Sequence, residues 1–161
     1  MVKNEMDIIE SFVRHTLGFA DLLIVADHKS TDRTREILEA LKEEGLPLII
    51  EDVAQARHVQ AETMTHLLWE AADDDAADLI LPLDADEFLL PVHASSLRTI
   101  LEQLPTDDVR TICLRQYGIR KPLPEGRFLL DVPLCCSSEL APMRRITVGG
   151  DFVRQEHRDC Q

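Results

Sequence analysis

Short apolar runs alternate with helix-spaced apolar stripes through residues 1 to 90, and this order restricts the fold more than any other feature of the chain. Ile8, Ile9, Phe12 and Val13 recur on one helical face, with Gly18 as a stop signal. A strand follows near Asp21 to Ala26. Thr34, Ile37, Leu38 and Leu41 form the next stripe, closed by Gly45, and Leu46 to Ile50 reads as a further strand. Met64, Leu67, Leu68 and Ala71 form a third stripe that ends near Asp73-Asp74-Asp75, before a strand that starts at Leu79 and leads into Asp84. The βαβαβαβ order predicts an α/β fold, a Rossmann-type, mostly parallel sheet with flanking helices, in which the stripes are core. Two positions resist the scheme. Pro82 removes a ladder donor inside the last strand, so a bulge or an unpaired edge is expected there. The Asp73 to Asp75 run is unfavourable at a helix C-terminus and reads as a solvated turn.

The apolar runs also place chemistry. Leu22 to Ala26 ends in Asp27, and Leu79 to Leu83 ends in Asp84, followed at i+2 by Asp86. On an extended backbone, side chains two apart point the same way, so Asp84 and Asp86 are expected to face one small volume at a strand's carboxyl end, where open α/β sheets place ligands. Two carboxylates beside a diphosphate need a hard divalent cation between them, and all-oxygen ligation suits Mg²⁺ or Mn²⁺. Ser30, Thr31 and Asp32 read as a helix cap, whereas Asp27 precedes the cap and is free for another role.

Three motifs in order, Lys3-Asn4-Glu5 with Asp7, Asp27-x-x-Ser30-Thr31-Asp32-x-Thr34, and Asp84-Ala85-Asp86-Glu87-Phe88-Leu89, resemble the family 2-like glycosyltransferases of the GT-A fold. The match is to the subgroup whose metal motif reads Asp-x-Asp-Glu-Phe, and it covers residues 1 to about 90. The resemblance implies that Asn4, Glu5 and Asp27 line a nucleoside pocket, that Arg57 lies near the nucleotide, and that Gln60 stands where the subgroup often has Gln. It implies that Asp86 touches the metal ion, Mn²⁺ or Mg²⁺, while Asp84 holds the ribose or a metal-bound water. Lys3 is a weaker candidate for a phosphate or base contact.

On this basis the chain is one glycosyltransferase-like domain, with a nucleotide-binding half over residues 1–90 and a partial acceptor-side region over 91–161. The implied reaction transfers a sugar, with inversion, from a nucleoside diphosphate sugar to an unnamed glycan, lipid or protein acceptor. The base would be an acidic residue after the metal motif, and Glu139, Asp151, Glu156 and Asp159 are available by type. Met1-Val2 is too short for the strand expected before Lys3, and the family's domain runs beyond residue 161, so a truncated chain is expected that binds nucleotide weakly and transfers no sugar. A catalytically silent nucleotide-binding or interaction fragment is the main alternative. A haloacid dehalogenase-like phosphatase also uses Asp-x-Asp after a strand, but there the motif lies near the N-terminus and is followed by Thr.

The remaining sequence agrees with a domain of this kind. At 161 residues, 45% hydrophobic and 29% charged, the chain can bury one core. Its net charge of −13 argues against nucleic acid or an anionic membrane as partner. No apolar run is long enough to span a bilayer, which leads to a cytoplasmic expectation, peripheral membrane association remaining compatible. Cys113, Cys135, Cys136 and Cys160 include no Cys-x-x-Cys pair and read as reduced thiols. The six histidines include none at metal-ligand spacing. His15 and His66 read as surface or packing residues, His28 as a loop residue beside Asp27, and His157 as a remote candidate for a further metal ligand. After residue 90 a short amphipathic helix is expected over Leu97, Ile100, Leu101 and Leu104, then a strand from Val109 to Tyr117. Four of the eight prolines lie between Lys121 and Pro142, which suits an irregular region.

Overall fold

The computed structural model describes residues 1–53, 60–73, 77–91, 96–107, 109–114, 117–119, 134–136 and 143–149. Helix α1 (Ile9–Thr16) buries Ile9, Phe12, Val13 and Thr16, the face expected from its period. Its end is tight without a left-handed residue: the Gly18 N–H donates to His15 O, and a Cβ at Gly18 would lie 3.0 Å from that oxygen. Helix α2 (Thr34–Glu43) buries Thr34, Leu38 and Leu41 and is followed by Gly45 at φ 89°, where glycine avoids the Cβ clash of a left-handed backbone. Helix α3 (Gln60–Asp73) buries Leu67, Ala71 and Ala72. Its described residues run to Asp73, the start of the acidic run, with no basic residue in the last turn, and Asp74 and Asp75 lie outside the described residues.

Strands β1 (Leu23–Asp27) and β2 (Leu48–Asp52) pair in parallel, Leu23 opposite Leu48 and Asp27 opposite Asp52. Val2 extends this sheet by one residue. It bridges Asp27 in parallel on the other edge of β1, with Val2 N–H donating to Ala26 O at 2.8 Å and His28 N–H donating to Val2 O at 2.9 Å.

The fold is mixed α/β, but parallel pairing among the described residues is confined to β1, β2 and the Val2 bridge. Strand β3 (Leu79–Ile80) pairs antiparallel with β7 (Met143–Gly149), which pairs antiparallel with β4 (Val109–Leu114). Strands β5 (Tyr117–Ile119) and β6 (Leu134–Cys136) form an antiparallel pair of their own. The expected fourth parallel strand is therefore a two-residue antiparallel one, which ends two positions before Pro82, a residue with no N–H to donate to a ladder.

The main core joins Val2, Ile9, Phe12, Val13, Val25, Leu38, Leu41, Leu48 and Ala85. A smaller cluster centres on Ala72, with Leu68, Trp69, Ile80 and Val109 against it. Burying a leucine such as Leu38 or Leu41 contributes about 1.5–3 kcal/mol, so the α1–β1–α2–β2 unit is where burial holds the chain together. Helix α4 (Leu97–Leu101) forms where its stripe predicted but buries none of its residues. Arg98 ties it instead by ion pairs to Asp21 and Glu102, which are too exposed to contribute much. No helix among the described residues is long and apolar enough to cross a membrane.

Candidate functional site

Strand β1 delivers Asp27 to its carboxyl end, where the chain must leave the sheet and start α2. Asp27 is only 5% exposed, and its Oδ1 accepts the Ser30 N–H at 3.1 Å and the Ser30 hydroxyl at 2.6 Å. A carboxylate bonded to groups three residues on closes a tight loop, and Lys29 within it sits at φ 54°. The Ser30 hydroxyl accepts in turn from the Asn4 N–H at 3.0 Å.

The same relay is built a second time. Asp32 Oδ1 accepts the Thr34 N–H at 2.9 Å and the Thr34 hydroxyl at 2.6 Å, and Thr34 Oγ1 accepts the Glu5 N–H at 2.7 Å. Asp32 Oδ2 accepts the Met6 N–H at 3.2 Å, and Asn4 Oδ1 accepts the Thr31 N–H at 2.7 Å. Three consecutive backbone amides, Asn4 to Met6, are thus each held by a side chain of the loop after β1 or of Thr34, the first residue of α2. The hydroxyl of Thr34, a fully buried residue, is satisfied as donor and as acceptor. Asn4 itself adopts φ 59°, a conformation asparagine tolerates better than most residues.

This revises the capping expectation. Only Asp32 bonds the first turn of α2, whereas Ser30 and Thr31 bond to Asp27 and Asn4. Asp27 also has a structural duty before any ligand arrives, since one of its oxygens is already occupied by Ser30.

The Asp-x-Asp motif is not extended. Glu87 N–H donates to Asp84 O at 3.0 Å and Asp84 N–H to Glu87 Oε2 at 3.0 Å, which closes residues 84 to 87 into a turn. The i, i+2 argument for an extended backbone therefore does not apply: Asp84 begins the turn, half-buried, and Asp86 stands exposed near its tip. Ala85 between them is buried in the core cluster that contains Val2 and Val25.

An aromatic residue directly after the turn gives it an anchor. Phe88 meets Phe12 edge-on, with ring centroids 6.2 Å apart, and lies 5.2 Å from the His15 ring. His15 Nε2 lies 2.9 Å from Leu89 O, and His15 also packs against Phe19. The turn is thereby pinned to α1, and His15 is a packing residue as expected. His66 is exposed, and His28 follows β1 in the loop, as read, with only 3% of it exposed.

The three motifs meet around Val2. It bridges the Asp27 end of β1, shares a core cluster with Ala85, and precedes Asn4 and Glu5 by two and three positions. Electrostatics give the same picture. Partial burial, then the charges of Asp86, Asp32 and Asp7, hold the Glu5 carboxyl above its ordinary value, so Asp86 is near enough for Glu5 to feel its charge. Burial works against ionisation of Asp32, but the bonds from the Thr34 hydroxyl, the Thr34 N–H and the Met6 N–H outweigh it and hold this carboxyl below its ordinary value.

Among the described residues, no three His, Cys, Asp or Glu side chains are grouped so as to hold a metal ion by themselves. Asp84 and Asp86 supply the oxygen donors that a hard cation takes, and the carboxylates around Glu5 form a negative locus. The donor set fits an ion whose remaining ligands come from phosphate and water, as is usual for Mg²⁺.

Lys3 is exposed and Gln60 opens α3. Arg57, His157 and the candidate bases Glu139, Asp151, Glu156 and Asp159 lie outside the described residues. Sequence reasoning missed the structural parts of this site: the hydroxyl relays of Ser30 and Thr34 and the anchoring of Phe88 on His15. The spacing of a carboxylate followed two or three residues later by a hydroxyl was the available signal for the relays. No protein-family model, curated protein or solved structure matches the chain.

Proposed function

We propose that this chain is a metal-dependent, family 2-like glycosyltransferase domain of GT-A fold, with residues 1–90 as its nucleotide-binding half and a nucleoside diphosphate sugar as donor. The observation that carries the reading is the meeting of Asn4-Glu5, Asp27 and the Asp84–Glu87 turn around Val2, although they are distant in sequence. In this reading Asp27, braced by Ser30, offers its remaining oxygen to a base or ribose donor, and Asn4 and Glu5 line the same pocket. Asp86, with Asp84, would hold Mn²⁺ or Mg²⁺, which supplies charge neutralisation of the departing diphosphate. The turn fixes the backbone that carries both carboxylates through Ala85 and Phe88, which would lower the reorganisation needed when the donor binds.

Transfer further requires a base to take the acceptor hydroxyl proton as the hydroxyl oxygen attacks the anomeric carbon. That base belongs to the region after residue 90, with Glu139, Asp151, Glu156 and Asp159 the candidates by residue type, and the acceptor is a glycan, lipid or protein.

The test is titration calorimetry with a panel of nucleoside diphosphates, with Mn²⁺ and with chelator. Binding is expected to depend on the metal, and Asp86→Ala should weaken its metal-dependent part at least about tenfold, the loss of one charged contact of ~1.4 kcal/mol or more, with the melting curve unchanged. Equal affinity with and without metal would overturn the metal-dependent reading in favour of a metal-free binding module. Metal-dependent binding without turnover, on this chain and on a longer form of it, would favour the catalytically silent alternative.

A further inference from the structure

The Asp84–Glu87 turn and the residues after it are held on the fold by contacts of two kinds. Ala85 lies in the main core, Phe88 meets Phe12 edge-on, and Leu89 is buried. Apolar contacts have no preferred direction, so these fix how deep the segment sits and leave it free to slide or roll along α1. The other contact is the approach of His15 Nε2 to Leu89 O at 2.9 Å. A carbonyl oxygen only accepts, so Nε2 carries the proton of this bond. Because a hydrogen bond weakens steeply when bent, it fixes the roll that packing leaves open.

The donor is itself held in place. The His15 ring meets Phe88 and Phe19, with centroids 5.2 and 5.7 Å away, and the His15 carbonyl accepts the Gly18 N–H at 3.1 Å in the tight end of α1. One residue beyond Leu89 the chain turns to solvent, Leu90 being 71% exposed. His15 thus grips the segment at its last buried residue. The start of α1 belongs to the other half of the site: the Ile8 and Ile9 N–H groups donate to Glu5 O at 3.0 and 2.9 Å, and the Glu5 N–H is held by Thr34. One helix therefore joins Asn4 and Glu5 at its start to the metal-motif segment near its end.

We propose that His15 is a positioning residue of the metal site, whose Nε2–H, through Leu89 O, sets where Asp86 stands relative to Glu5 and the nucleotide. The proposal rests on the metal-dependent reading given above. Asp86 lies between the Ala85 and Phe88 contacts and is exposed, so a roll of the segment displaces its carboxylate more than the packed residues beside it. Mg²⁺ holds its ligands in near-ideal octahedral geometry, and a displaced carboxylate therefore weakens its binding. Packing accounts for the ring of His15. It does not account for an Nε2–H aimed at a main-chain oxygen of the segment that carries the carboxylates.

Two substitutions separate the bond from the packing. His15→Phe keeps a ring against Phe88 and Phe19 but has no donor, whereas His15→Gln has no ring but carries an amide nitrogen the same number of bonds from Cα as Nε2. Titration calorimetry with UDP, GDP, ADP and CDP, each with Mn²⁺ and with chelator, reads the metal-dependent part of binding. His15→Phe is expected to weaken that part about tenfold and to leave the affinity in chelator unchanged, while His15→Gln stays within about threefold of the parent although its melting temperature falls. The reverse order, with His15→Phe matching the parent and His15→Gln losing affinity, would make His15 a packing residue only and overturn the proposal. So would equal metal-dependent affinity in all three forms, or an equal loss in both variants. In the protein free of metal and nucleotide, the nitrogen chemical shifts of the His15 imidazole should show a protonated Nε2, and an Nε2 without a proton would overturn the proposal by itself. A parent that binds these nucleotides equally well with Mn²⁺ and with chelator would overturn the metal-dependent reading and this proposal together, whereas the other adverse outcomes overturn the role of His15 alone.

Discussion

The loop after β1 and the Asp84–Glu87 turn both present carboxylates at the site and both close on themselves, yet their ties to the rest of the chain differ: backbone amides in one, ring packing in the other. The loop depends on partners far along the chain: Ser30 and Thr34 accept from the amides of Asn4 and Glu5, 26 and 29 residues away. The turn closes on itself through two bonds between Asp84 and Glu87 and is then pressed on α1 by Phe88. Long-range bonds lock two segments to each other and resist distortion only while both are in place. A self-closed turn keeps its shape when its anchor loosens, and moves as a unit. The difference assigns shape control to the first region and placement control to the second.

Thr34→Val should break the comparison most severely. The substitution keeps the volume of a fully buried residue but leaves the Glu5 N–H without its acceptor and Asp32 without one donor. An expected loss of about 1–3 kcal/mol follows from one part-buried amide left without its acceptor and one lost charge-assisted bond. Urea unfolding measures it. Exchange at Glu5 should quicken while exchange in β2 stays slow, and uniform quickening would mean that the relay is not a local clamp.

Phe88→Ala should come next, at about 2 kcal/mol, since Phe88 is half-buried and its edge contact with Phe12 is lost with it. Here the turn should survive. The expected signature is weaker metal-dependent nucleotide binding with the metal-independent part unchanged, read by calorimetry. Loss of both parts together would show that the turn and the loop act as one body.

The same contrast separates what could be read in the sequence from what could not. The stripes of α1 and α2 were legible because Ile9, Phe12, Val13, Leu38 and Leu41 repeat at the helical period and are buried at that period. Asp27 was legible as a strand end because an apolar run stops there. The short β3 was not, because its partner β7 lies more than sixty positions later and pairing of that kind leaves no local pattern. The geometry of Asp84 and Asp86 was misread for a related reason. Spacing at i, i+2 gives direction only once the backbone state is known, and Pro82 and the Glu87 carboxylate favour a turn over an extended chain. Val2 lies where a strand is expected before Lys3, but a two-residue start carries no periodicity, so its bridge to Asp27 could not be read from the sequence.

Glu5→Gln is the smallest of these effects and bears on the ground shared by the two regions. Glu5 sits between the Asp32 loop and Asp86, and partial burial with those charges raises its carboxyl above the ordinary value. A group raised on folding contributes stability that is fully present below its unfolded value and is lost as pH rises through the folded one. Glutamine removes the ionisation altogether. The variant should therefore match the parent at low pH and become the more stable of the two as pH rises past the raised value, with Asp32, lowered by its own bonds, cancelling in the difference. Melting curves across pH 3 to 8 measure the separation. With Mn²⁺ and a nucleoside diphosphate present, the difference should shrink, because a cation beside Asp86 relieves the repulsion that glutamine removes. A difference that stays constant with metal would detach Glu5 from the metal locus and leave the loop and the turn as neighbours without a common charge.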